Sequence, residues 1–168
     1  QALDSFGAAS PEVTNAYIIY SLTEAGYVNR LEREIQTMRK EAAETKDSYI
    51  LALAACSLLN SPNQKAQGKA AAARLVKMQS KEGAWTEAEH SITRSGGKNL
   101  HIETTALAVI ALLKAGGYET ETERAVQWLL QNRDGYGNWG ATQATVLGIK
   151  AFAAYSDAVR KTEYPGNI

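Results

Sequence analysis

Gly135-Tyr-Gly-Asn-Trp-Gly-Ala-Thr-Gln-Ala-Thr-Val-Leu-Gly-Ile-Lys-Ala-Phe-Ala-Ala-Tyr155 decides the fold. It joins a glycine-rich loop, Trp139 and a long apolar helix opening near Thr142-Gln143. An earlier run, Ile102-Glu-Thr-Thr-Ala-Leu-Ala-Val-Ile-Ala-Leu-Leu113, reads as its sibling. The earlier run is apolar nearly all round, not along one stripe, so such helices need neighbours on most sides.

Working outward, the same kind of helix appears twice more. Ser10-Pro11-Glu12 predicts a helix start, with Ser as cap, Pro in the first turn and an acid at the dipole's positive end. That helix runs from Val13 to about Ala25 and stops at Gly26. A third apolar helix follows Asp47, through Tyr49 to Leu59. Between these lie amphipathic helices. One starts from Asn29, with Glu32 completing a capping box, and carries Val28, Leu31, Ile35, Met38 and Ala42 on one stripe. Another spans about Pro62 to Gln79, with Ser61 as cap and Gln64 three residues on. A third follows a cap in Thr120-Glu-Thr-Glu123 and uses Ala125, Val126, Leu129 and Leu130.

Inner and outer helices therefore alternate, interrupted only by Ser80 to Asn99, which reads as a long surface loop of functional or mobile character. The inner helix after it runs from Ile102 to Ala115 and ends at Gly116-Gly117; the last runs from Thr142 to Tyr155. Ala16, Tyr49, Ala106 and Ala144 hold similar places, 33, 57 and 38 residues apart. A hairpin with one all-apolar member cannot bury itself, so hairpins stack. Helices apolar all round favour a closed α/α toroid over an open solenoid. The expectation is an all-α, incomplete α/α toroid of about seven helices in residues 1–158, with a polar tail at 159–168. The missing hairpins predict an exposed apolar inner edge and possible self-association through it.

Composition agrees with one domain of 168 residues. Lys plus Arg and Asp plus Glu are 18 each, which gives no net field to favour nucleic acid or an anionic membrane. No apolar run is long enough to span a bilayer. The single Cys56 excludes an internal disulfide. The chain opens on Gln1 without an initiator Met and reads as a piece of a longer polypeptide.

Candidate chemistry is sparse. Gln79-Ser-Lys-Glu-Gly83-Ala-Trp85 and Gln131-Asn-Arg-Asp-Gly135-Tyr-Gly-Asn-Trp139 read as two copies of one motif, the second stretched by two residues. Their equivalent places in the repeat favour turns packed by tryptophan over ligand binding. Similar motifs occur in triterpene cyclases, but Asp4, Asp47, Asp134 and Asp157 are scattered and make no acid motif. The zinc of prenyltransferase toroids calls for Asp, Cys and His; Cys56 sits mid-helix with no histidine near in sequence, as a buried apolar thiol would. His90 and His101 bracket the long loop without completing a triad. Glu103 opens its helix and is expected to cap it or bond a neighbouring loop; Thr142 and Gln143 are expected to bond free N–H groups of the last helix. No catalytic residue, cofactor or metal ligand is assigned, and the chain is expected not to be an enzyme.

Three stretches together resemble the thioester domain of the alpha-2-macroglobulin and complement family. Ile102 to Leu113 is similar to that domain's Glu-(Thr/Ala)-Thr helix. Trp128-Leu-Leu-Gln-Asn132, Gly135-Tyr-Gly137 and Gly140-Ala-Thr-Gln-Ala-Thr145 resemble its Trp-Leu-x-x-Gln, glycine-rich and Ser-Thr-Gln-x-Thr segments. Val13 to Leu22 resembles an earlier helix, so order and spacing agree from about residue 5 to 156. Glu103, Thr104, Thr105, Gly135, Trp139, Thr142 and Gln143 form the family signature. The resemblance implies an α/α toroid within a large extracellular or periplasmic protein that traps peptidases or tags surfaces through a Cys–Gln thioester. The Gly-Cys-Gly-Glu-Gln motif is absent here, and Cys56 cannot stand in for it; the resemblance places the thioester upstream of Gln1. The implied partners are other domains of the parent and, through the parent, target peptidases. A fragment of a toroid enzyme of the cyclase or prenyltransferase kind and a stand-alone helical interaction module remain the alternatives.

Overall fold

The computed structural model describes residues 9–163. These form seven α-helices: α1 (Pro11–Glu24), α2 (Glu32–Glu44), α3 (Ser48–Asn60), α4 (Lys65–Met78), α5 (Gly97–Ala115), α6 (Glu119–Gln131) and α7 (Thr142–Glu163). The chain is an all-helical α/α toroid arc. Helices α1, α3, α5 and α7 pack in sequence as the inner row, and α2, α4 and α6 lie outside them. On α3 every residue from Ser48 to Leu59 is buried, and on α5 Leu100 and Ile102 to Leu112 are. The outer helices bury one stripe each: Ile35, Met38 and Ala42 on α2; Ala71, Ala72 and Leu75 on α4; Ala125, Val126 and Leu129 on α6. Gly68 lets α4 approach α3, since a Cβ there would come within 2.6 Å of Leu59.

Three of the expected helix starts hold, α7 opening at Thr142 as expected. Ser10 Oγ accepts the N–H of Val13 at 3.3 Å, and Asp47 Oδ1 accepts those of Tyr49 and Ile50 at 2.8 and 3.0 Å. Gly26, with φ +88°, closes α1 as predicted: its N–H reaches Thr23 O and that of Tyr27 reaches Leu22 O, the paired pattern of a glycine-terminated helix.

Four starts differ. Asn29 lies inside a 3-10 turn, Val28–Arg30, and α2 begins at Glu32 with no side-chain cap; buried Leu31 fixes the entry instead. Pro62–Gln64 is a single 3-10 turn before α4, because Ser61 Oγ donates back to Ser57 O at 2.8 Å and so is not a cap. Helix α6 starts at Glu119, ahead of the expected Thr120 cap. Helix α5 starts at Gly97, five residues earlier than expected, with Leu100 buried in its opening turns. At the other end, α7 continues past Ala158 to Glu163.

The segment before α5 is no surface loop: Ala84, Trp85, Ser91 and Ile92 are all buried in it. The apolar inner edge is exposed at both ends of the row. Ile18 on α1 is 49 % exposed, and Val146 and Ile149 on α7 are 46 % and 57 % exposed. The two end helices still reach each other through polar side chains. Gln143 Nε2 donates to the Tyr17 hydroxyl at 2.9 Å, and Lys150 Nζ lies 3.5 Å from the Tyr20 hydroxyl. At the C-terminal ends, Lys114 pairs with Glu24 at 3.0 Å, and Asn60 bonds both, tying α1, α3 and α5 together. Among the described residues no helix is long and apolar enough to cross a membrane.

Candidate functional site

Trp85 and Trp139 close the same kind of turn. Trp85 Nε1 donates to Leu75 O and Trp139 Nε1 to Leu129 O, both at 2.7 Å and both ten residues back on the preceding outer helix. The backbone N–H of Trp85 goes to Thr105 Oγ1 and that of Trp139 to Thr145 Oγ1, both at 3.2 Å. Each turn therefore staples an outer helix to the next inner one. The indoles are buried and fully used.

These bonds correct the register of the motif. Gly83 and Gly137 are the equivalent glycines, with φ +100° and +83°. Ser80 N–H bonds Ala84 O just as Asp134 N–H bonds Asn138 O. Gln79 Nε2 donates to Gly83 O at 3.0 Å, and Arg133 Nε donates to Gly137 O at 3.2 Å. The copies are equal in length, and Arg133, not Gln131, matches Gln79. The Gly-x-Trp spacing carried that signal. Gly135 is exposed with open space around it and is not the glycine that makes the turn. Next to it Tyr136 is 94 % exposed.

With Thr105 and Thr145 matched, Glu103 and Gln143 fall at the same position of α5 and α7. Neither caps its own helix through the bonds it makes; each reaches a different element. Gln143 spans to Tyr17 on α1. Glu103 is fully buried beyond the first turn of α5, and its Oε1 accepts from Ser95 Oγ at 2.5 Å. It thus bonds the neighbouring loop, one of the two expected roles. Burial pushes its carboxyl above the usual range, against the pull of the Ser95 hydroxyl bonded to it and of the nearby Ser91 and Thr93 hydroxyls. Glu103 Oε2 and the Thr104 hydroxyl are buried without a partner. Thr142 is exposed at the start of α7.

The model of the A-macroglobulin TED domain matches residues 8–155. The chain belongs to the A-macroglobulin TED domain family. It is 30% identical over 161 residues to A.superbus venom factor 2 of Austrelaps superbus, covering 88% of this chain and 9% of that protein. It is also 30% identical over 161 residues to a venom factor of Crotalus adamanteus, covering 90% and 9%. Complement C3 of Lethenteron camtschaticum is 25% identical over 132 residues, covering 77% and 8%. The chain thus spans less than a tenth of the length of the curated relatives it matches. No solved structure matches the chain.

The remaining chemistry-bearing residues of this TED-family chain stand apart. Cys56 is buried mid-helix, its Sγ 3.8 Å from Leu107 O, and burial pushes its thiol up to about 12, so it is neither thiolate nor nucleophile at neutral pH. His90 and His101 are half-buried, on the inserted segment and on α5. Among the described residues no three His, Cys, Asp or Glu side chains lie together as metal ligands.

Proposed function

We propose that the chain is the non-enzymatic scaffold of a thioester domain in a larger A-macroglobulin-like protein. Its inner row shapes and shelters a reactive Cys–Gln bond carried elsewhere in the parent, and its outer helices pack on neighbouring domains. The parent traps peptidases or tags surfaces covalently, and it works outside the cell, in line with relatives named as venom factors and complement. The observation that carries this reading is where the polar groups go. The indoles of Trp85 and Trp139, Gln143 and the bonded oxygen of Glu103 are spent on holding helices together, and the only thiol is buried. The exposed apolar residues of α1 and α7 serve as contact faces, to the rest of the domain or to another copy.

Methylamine, which opens thioesters, tests this. By mass spectrometry the 168-residue chain gains no methylamine, while the parent polypeptide that includes the upstream Cys–Gln motif gains one. An adduct on the chain alone contradicts the reading, as does conversion of a prenyl diphosphate by it.

A further inference from the structure

We propose that Glu103 and the hydroxyls of Ser91, Thr93 and Ser95 form a proton-controlled latch that fastens the 86–96 segment over the N-terminal ends of α3 and α5. The segment has no counterpart in the second repeat: Trp85 and its threonine are 20 residues apart, Trp139 and its threonine only 6. It crosses the start of α3. Glu87 O accepts from Ser48 N and Oγ at 2.7 and 2.8 Å, Asp47 Oδ2 accepts from Glu89 N at 2.9 Å, and Ile92 N donates to the Tyr49 hydroxyl at 3.3 Å. It then ends on α5 through Glu103.

The contact to Glu103 is a chain of hydroxyls. Ser91 Oγ lies 3.1 Å from Thr93 Oγ1, which lies 3.0 Å from Ser95 Oγ, which lies 2.5 Å from Glu103 Oε1. Ser95 N closes the loop on Ser91 Oγ at 3.2 Å. Inside this ring Arg94 sits at φ +54°, a conformation that costs an L-residue free energy and persists only where surrounding bonds enforce it. On the far side Gly96 and Gly97 have open space around them, and Gly97 is at φ +54°; they form a hinge.

Two protonation states fit this ring differently. An ionised Glu103 is a buried charge whose Oε2 has no protein donor, which is unfavourable away from bulk solvent. A protonated Glu103 donates from Oε1 to Ser95, and the hydroxyls, each donor and acceptor, reverse direction. Oε2 is then a neutral carbonyl oxygen. The titratable groups on the packed elements include Tyr17 of α1, Tyr49 and Asp47 beside α3, Glu87, Glu89, His90 and Arg94 of the segment, and Lys98 and His101 of α5. Asp47 is already engaged by three backbone N–H groups, and among the described residues no cation pairs with Glu103. Burial holding its carboxyl above the usual range agrees with a closed latch that binds its proton more tightly than an open, hydrated one. Rising pH therefore loosens the segment, by up to about tenfold in the opening equilibrium per pH unit for one proton.

Amide hydrogen exchange by NMR on the 168-residue chain tests this, read as protection factors with the intrinsic pH dependence divided out. Protection of the Ile92 and Ser95 amides falls as pH rises through the Glu103 titration, while that of the α5 core stays level. Glu103→Gln gives a pH-flat segment. Ser95→Ala lowers protection of Ile92 at every pH with α5 intact, which tests the latch even if Glu103→Gln does not fold. Replacing both His90 and His101 with Gln leaves the pH response in place. A wild-type segment with no pH response, an unchanged response in Glu103→Gln, its loss in the histidine variant, or wild-type protection of Ile92 in Ser95→Ala each overturns the latch.

Discussion

Three glycine-to-alanine substitutions separate the true turn from the apparent one. Gly83 and Gly137 share a left-handed backbone, which costs an alanine about 1–2 kcal/mol. Their surroundings differ. A Cβ on Gly83 would sit 2.5 Å from the carbonyl oxygen of Arg124 and 2.7 Å from its carbon, both backbone atoms of α6. A Cβ on Gly137 would meet the tip of the exposed Arg133 side chain at 2.6 Å, which can shift where backbone cannot. The backbone clash adds about 1–3 kcal/mol at Gly83 alone. Gly83→Ala is therefore expected to lose about 2–5 kcal/mol in all, and Gly137→Ala about 1–2 kcal/mol. Gly135→Ala, at an open position, stays within about 0.5 kcal/mol of wild type. Urea unfolding of the four proteins with a common slope measures these differences. If Gly135→Ala costs as much as Gly137→Ala, the equal-length register of the two turns is wrong; if Gly137→Ala costs as much as Gly83→Ala, the packing of the first turn against α6 is.

Other expectations follow from the same geometry. Thr105→Val leaves the buried N–H of Trp85 without its acceptor and loses about 1–3 kcal/mol in urea unfolding, whereas Thr145→Val, at a half-buried site, loses less. Glu103→Gln and Glu24→Gln move the pH dependence of stability in opposite directions. Glu103 has a raised carboxyl, so its favourable share is complete below the ordinary carboxylate range and is lost as pH rises through the raised value; the Gln variant is the more stable of the two at high pH. At Glu24 burial raises the carboxyl, but the bonds from Asn60 and Lys114 outweigh it and leave it lowered. Its contribution is present above the ordinary range and fades in acid, so Glu24→Gln is weaker at neutral pH and matches wild type in acid; thermal unfolding from acid to mild alkali reads both. The apolar faces of α1 and α7 lead to association at high concentration, reduced by placing Lys at Val146 and Ile149; a monodisperse wild-type monomer in light scattering at high concentration argues against that surface.

The architecture was legible because it is written in composition around the helix axis. Ser48 to Leu59 and Ile102 to Leu112 offer no polar face, so they had to be inner helices, and the Asp47 and Ser10-Pro11 caps are local signals. The site was less legible, for two physical reasons. Hydrogen-bond roles are not tied to residue identity: Arg133 gives Gly137 the N–H that Gln79 gives Gly83, so matching glutamine to glutamine picks Gln131 and shifts the frame by two residues. Long-range partners leave no local trace. Gln143 meets Tyr17 across 126 residues. Gly96-Gly97 looked like the end of a loop, which hid that α5 starts there and carries Glu103 beyond its first turn into a buried site.

The central claim is that this chain frames a thioester site without holding the reactive bond. Intact-mass spectrometry of the native chain, treated with methylamine and then iodoacetamide, tests it most directly. The account predicts an unchanged mass, with one carbamidomethyl group added at Cys56 only after unfolding. A methylamine adduct, or a thiol freed by methylamine in the native chain, would contradict it.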